Sequence, residues 1–374
     1  MQRVETVPLS TLLTWAWVAF VIEADNAFEA ICRDRGAQVF RISFAMWANG
    51  LRCIEEEGIT VRDLRGATGA ACNLPGLERW GWIRLGEDDH PNLGRERPRR
   101  AGYGTSRGVT DSTVVRPRQA GSVARRVWPE VLERTELAWR DRFGSGAIEN
   151  LRSALEGFGR QMPWSPPEVH PSDGFWTHIA EATTAHAPQA NPAADRPDAD
   201  AARASGDMAK NLGPLLGRAL VELTLDHEGG SQTSLPLAAN GLRVVAGAPV
   251  ATRELTARTG TSKEAVAMVT GFLQRKGLAT AVPNRMIVAT TEGIEALYDY
   301  EEQAAAADRP QLRSALESIL GRRDELALGL VPPPGCWRGE GTYKRQTNRL
   351  LANPRSALPW HPMVLHRGGW PDGS

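Results

Sequence analysis

Apolar residues recur at three- and four-residue steps over residues 9–35. Leu12, Leu13, Ala16, Phe20, Ala24 and Phe28 fall on one helical face, and Trp15 and Trp17 widen it. This spacing predicts a long, buried packing helix that stops at Gly36. A second helix is expected over residues 40–57, stopped by Gly58. A short helix follows with Thr60 as its N-cap. After a turn at Thr68-Gly69, a further helix carries Leu74, Leu77 and Trp80 to Gly81. Trp82-Ile83 opens a strand, and Thr113–Arg116 is expected to return beside it, with Pro117 limiting its extension. Val123, Val127, Val131, Leu132 and Leu137 then mark a long helix that Phe143-Gly144 breaks, and residues 147–158 form another. Helix, turn, helix and hairpin in that order predict a winged-helix unit.

Much of this pattern occurs a second time. Leu215, Leu216, Ala219, Leu223 and Asp226 match Leu12, Leu13, Ala16, Phe20 and Glu23 at a constant offset of 203. Ala239-Asn240-Gly241-Leu242-Arg243 repeats Ala48-Asn49-Gly50-Leu51-Arg52 letter for letter at an offset of 191. Arg253-Glu254-Leu255 lies over Arg62-Asp63-Leu64, and Thr259-Gly260 over Thr68-Gly69, at the same offset. Gln274-Arg275-Lys276-Gly277 lies over Glu78-Arg79-Trp80-Gly81 at 196. Last, the sequence LRSALE at 151–156 returns unchanged at 312–317. Collinear order across all six matches predicts an internal duplication.

The expected architecture is therefore mainly α with small β-hairpin wings, as tandem winged helix-turn-helix modules forming an intrachain pseudo-dimer. Residues 1–160 make the first module and 208–320 the second. Residues 161–207 join them, and their Pro-, Ala- and Asp-rich composition is too poor in large apolar side chains to fold alone. Residues 321–374 form a Pro- and aromatic-containing tail, expected to pack on the modules.

Composition narrows the chemistry. With 44 basic and 44 acidic residues the chain is formally neutral, so a nucleic-acid case must rest on local charge. The four cysteines form no CxxC pair, which argues against a disulfide framework or zinc site and points to a reducing, cytoplasmic setting. No leader-like segment or membrane-length apolar run is expected. His361 and His366 bracket a Pro-containing stretch, which is not a helical metal pair. There is no GxSxG motif and no phosphate-binding loop of the GxxxxGK type, so neither an enzyme nor a cofactor is expected.

The residues above resemble the multiple-antibiotic-resistance regulator (MarR) family of winged-helix transcription factors over about 9–160 and 208–320. The carrying pieces are the two ANGLR segments, the helix from Gly260 to Gly277, Met286–Ala289 leading to Thr291-Glu292-Gly293, and in the first copy Glu78 to Ile83, Val114 to Pro117 and Gly121. The resemblance implies a ligand-responsive DNA-binding regulator. One chain would do the work of two subunits and read a pseudo-palindromic duplex site. It also implies an effector site between the shared helices and a DNA-binding lobe. Trp15, Trp17, Trp47 and Trp139 are placed to line it, for a small apolar or aromatic molecule.

The DNA-facing residues follow from helical spacing. In the second copy Val266, Val269 and Leu273 face the core, leaving Ser262, Lys263, Ala267, Met268 and Arg275 on the other side. Thr261 is the expected N-cap with Glu264 completing a capping box. Asn284 and Arg285 sit at the hairpin tip, where an arginine suits a minor groove. The first copy has a long wing holding Arg95, Arg97, Arg99, Arg100 and Arg107, and residues 95–118 carry a local charge of +5 from seven arginines against Glu96 and Asp111. Its reading helix, however, is five residues shorter between the matched glycines, and contains Pro75. Base reading is therefore expected mainly from the second copy. The competing expectation is a winged-helix scaffold that mediates protein–protein interaction or small-molecule sensing without sequence-specific DNA binding.

Overall fold

A computed structural model of the chain describes residues 9–35, 48–68, 74–79, 81–86, 109–158, 211–228, 235–259, 263–306 and 308–331. The fold is mainly helical with two small antiparallel sheets. The first half runs α1 (Leu9–Asp34), α2 (Ala48–Leu51), β1 (Ile59–Thr60), α3 (Val61–Thr68), α4 (Leu74–Arg79), β2 (Ile83–Leu85), β3 (Val114–Pro117), α5 (Gln119–Phe143) and α6 (Ser145–Leu155). The second half follows the same order: α7 (Leu212–Glu228), α8 (Leu235–Ala246), β4 (Val250–Ala251), α9 (Thr252–Thr259), α10 (Lys263–Arg275), β5 (Ala279–Val282), β6 (Met286–Ala289), α11 (Thr291–Ala306) and α12 (Pro310–Leu320). A further helix, α13 (Arg323–Leu330), follows it.

The two sheets are built alike. Their strand orders are β1-β3-β2 and β4-β6-β5, with Thr60 opposite Val114 and Ala251 opposite Met286. The Val61 amide donates to the Thr113 carbonyl at 3.0 Å, and the Thr252 amide to the Arg285 carbonyl at 3.1 Å. These donors stand 191 positions apart, the offset that relates the two ANGLR segments.

The same end motif closes α4 and α10. Gly81 and Gly277 adopt φ values of 78° and 72°. Trp82 N–H reaches back to Leu77 C=O at 3.0 Å, and Leu278 N–H to Leu273 C=O at 2.8 Å. This is the Schellman arrangement, which needs a left-handed residue and so favours glycine. The start of α3 is capped as its sequence implies: Thr60 Oγ1 accepts from Asp63 N at 3.1 Å and donates to Asp63 Oδ2 at 2.6 Å.

Two apolar clusters organise the packing. The larger joins α1, α5 and α6 of the first half to α7 and α12 of the second, around Phe20, Trp139, Leu151, Leu216 and Leu316, all fully buried. The smaller holds α8 to α11 and their sheet, around Leu242, Leu273 and Ile287. One core is thus shared between halves, and the second lobe has a core of its own.

Two expectations differ from the structure. The second helix was placed through Glu57, but the described part ends at Leu51. Cys53 N–H bonds Gly50 C=O and Ile54 N–H bonds Leu51 C=O, tight turns that bury Ile54 and reverse the chain toward β1. The matching α8 continues to Ala246, where Arg243 Nε donates to Glu301 Oε1 of α11 at 2.8 Å. By the offset of 172 that relates β3 to β6, the first half has Pro129 in the place of Glu301. The tail also begins with helix α13, whose Leu326, Ala327 and Leu330 are buried. Asn26 Nδ2 of α1 donates to Gly329 C=O at 3.0 Å, and Arg322 donates to the Arg142 and Phe143 carbonyls at the end of α5. The rest of the tail, 332–374, and residues 159–210 lie outside the described residues.

Candidate nucleic-acid interface

Helix α10 is 13 residues long and rests on the second lobe through Val266, Phe272 and Leu273. Its seat on α8 is close: a Cβ at Gly241 would lie 2.6 Å from Val269 Cγ1. Asn240 Nδ2 of α8 donates to the Thr259 carbonyl at 2.6 Å, fixing the end of α9 just before α10 begins. With that face buried, Ala267 and Arg275 are exposed on the other. Lys263 is the first residue of α10. Thr261 and Ser262, and the side chains of Lys263 and Met268, lie outside the described residues.

The wing of this lobe is a hairpin in which Val282 pairs with Met286. Asn284 and Arg285 in its loop have φ values of 65° and 56°, and both are exposed. Two consecutive left-handed residues are uncommon outside glycine, and asparagine tolerates that region best among the others. The Arg285 carbonyl is held by both Thr252 N–H at 3.1 Å and Thr252 Oγ1 at 3.0 Å. The tip is therefore fastened to the front of α9, while the Arg285 side chain points to solvent.

Charge is unevenly distributed along this half. Residues 252–285 hold Arg253, Arg258, Lys263, Arg275, Lys276 and Arg285 against Glu254 and Glu264, a local +4. Residues 291–331, which make α11 to α13, hold nine acidic and four basic residues, a local −5. A polyanion is drawn to the first stretch and repelled by the second.

The first lobe presents a different surface. Helix α4 has 6 residues, with Leu74, Gly76 and Leu77 buried and Pro75 at its second position, where it removes no helical hydrogen bond. Arg62 and Arg65 of α3 are exposed, but Asp111 lies 4.0 Å from the first and 2.8 Å from the second. Asp111 is a feature that sequence reasoning passed over, having counted it only in a charge total. The pairing of Arg65 with a carboxylate 46 positions away depends on how β3 returns beside α3, which no local pattern specifies. Arg95, Arg97, Arg99, Arg100 and Arg107 lie outside the described residues.

The candidate effector tryptophans separate. Trp17 and Trp139 are buried in the shared core, and Trp15 is half-buried against it. Trp139 stands edge-on to Phe20 and Phe143, each with ring centroids 5.3 Å away, and donates from Nε1 to Glu23 Oε2 at 2.9 Å. The same carboxylate pairs with Arg142. Trp47 lies outside the described residues. Among the described residues no group of three His, Cys, Asp or Glu could hold a metal ion. No helix among them is long and apolar enough to cross a membrane.

No protein-family model, curated protein or solved structure matches this chain.

Proposed function

We propose that the chain is a cytoplasmic, DNA-binding transcriptional regulator of the MarR type, made of two winged-helix modules in one polypeptide. The second module reads bases: α10 enters the major groove and the wing touches the adjacent minor groove. A small apolar or aromatic effector adjusts the lobes by binding between them and the shared helices.

The observation that carries this reading is the pairing of α10 with an arginine-tipped hairpin on a positively charged stretch of a formally neutral chain. The Arg285 carbonyl is held by both Thr252 N–H and Thr252 Oγ1, which fixes the backbone of the tip, and the side chain is exposed. An exposed arginine on a backbone-anchored hairpin tip suits a narrow, electronegative groove. The repeated order of elements adds a second lobe on the same core.

Mapping of binding sites with the purified full chain on fragmented genomic DNA tests the proposal. Enrichment of a defined sequence at moderate salt is expected. Binding that shows no enriched sequence would instead favour a scaffold that binds protein.

A further inference from the structure

We infer that the chain reads DNA through one lobe only, so that its specific site is a single half-site without the inverted second copy that a symmetric regulator requires. This rests on the DNA-binding reading above. The backbones of the two lobes make several positions equivalent.

The Thr113 carbonyl accepts from the first residue of α3, and the Arg285 carbonyl accepts from the first residue of α9. Thr113 therefore occupies in the first lobe the place of Arg285 in the second, and this wing position has no cation. Two residues earlier, the first lobe has Asp111 where the second has Pro283. Asp111 lies within 4.0 Å of Arg62 and 2.8 Å of Arg65. Exposed pairs of this kind are weak. Asp111 nevertheless occupies both arginines of α3, whereas the matched Pro283 offers no carboxylate and, among the described residues, α9 has only its own Arg258–Glu254 pair at 3.7 Å.

The reading helices differ in a directed way. Both α4 and α10 end in the same glycine-dependent cap, so their C-terminal ends are equivalent. Between the matched glycines the first lobe has five fewer residues, and α4 has 6 residues against 13 in α10. At 1.5 Å per residue, α10 is about 20 Å long and α4 about 9 Å, against a major groove about 12 Å wide. Among the described residues the first lobe has the shorter reading helix and no cation at the position of Arg285. The second lobe has both the longer helix and the wing arginine.

The test is selection from random duplexes with the full chain, followed by salt titration of binding to the selected duplex. The expected consensus has no inverted repeat, and adding an inverted copy at one-turn spacing changes affinity by less than about twofold. Arg285→Asn, which keeps a residue tolerant of the left-handed backbone, lowers the salt slope by about one. Thr113→Ala leaves that slope unchanged, and Asp111→Asn steepens it. A palindromic consensus, or a gain of about tenfold or more from the inverted copy, would overturn the inference and leave the DNA-binding reading standing. Equal loss of slope in Arg285→Asn and Thr113→Ala would also overturn it. Absence of any enriched sequence would remove both.

Discussion

The Ser10 hydroxyl, on the second residue of α1, is hydrogen-bonded to the Tyr300 hydroxyl in the middle of α11. The two residues are 290 positions apart, and both are buried. The bond joins the helix that begins the shared core to the helix that carries the second wing. Beside it Arg243 of α8 pairs with Glu301. Tyr300→Phe removes the tyrosine hydroxyl while keeping the ring. It should cost about 1–2 kcal/mol, because the Ser10 hydroxyl loses its buried partner. Urea unfolding followed by tryptophan fluorescence measures this, and no change in midpoint would show that the hydroxyls are satisfied otherwise.

Alkaline pH should destabilise the protein before any change near neutrality. Burial raises Tyr300 above its ordinary 10.0 and pushes Cys32 up from 9.0 to about 12. Both groups stay neutral in the folded state at pH values where the unfolded chain has begun to ionise. Their contribution is therefore fully present below the unfolded pKa values and is lost as pH rises through the folded ones. Urea midpoints should be level up to about pH 9 and fall above it. A Cys32→Ala/Tyr300→Phe variant should show a shallower fall than the parent.

Gly329 is where α13 docks. A Cβ there would lie 2.1 Å from Glu23 Oε2 and 2.6 Å from Arg142 Nη1, inside a largely buried ion pair. Gly329→Ala should destabilise by about 1–3 kcal/mol through overpacking. Leu328→Ala, at a position 58% exposed, should leave the thermal midpoint nearly unchanged. Equal shifts for the two variants would show that α13 does not rest on the Glu23–Arg142 pair.

Lys263→Ala should weaken specific binding by about 1–3 kcal/mol. It should do so more than any single substitution within residues 73–79. Fluorescence anisotropy on a selected duplex gives the comparison, and comparable losses from the two helices would count against an asymmetric reader.

The long amphipathic helices were legible in the sequence because one buried face sets their period. Helix α1 was expected over residues 9–35 and spans Leu9–Asp34, and the break at Gly144 falls where the left-handed backbone ends α5. Short elements were less legible. The α2 helix stops at Leu51 because the chain must turn twice to reach β1, a demand set by the sheet and not by residues 52–57. Helix α13 was missed because Pro and Gly in the tail hid eight residues whose buried side depends on α1. At the candidate interface the wing-tip residues were legible from turn chemistry. The Asp111–Arg65 and Ser10–Tyr300 relationships were not, since each joins segments that only the folded topology brings together.

A core shared between α1, α5 and α6 on one side and α7 and α12 on the other joins the two halves of a single chain. Closing that joint is a first-order process, so dilution does not pull the lobes apart as it does the subunits of a dimer. On the proposed DNA-binding reading, a single chain that acts alone would occupy its site in linear proportion to its amount instead of to its square. The two lobes are also encoded separately. A substitution in one is not imposed on the other, and the two lobes are free to drift toward different tasks.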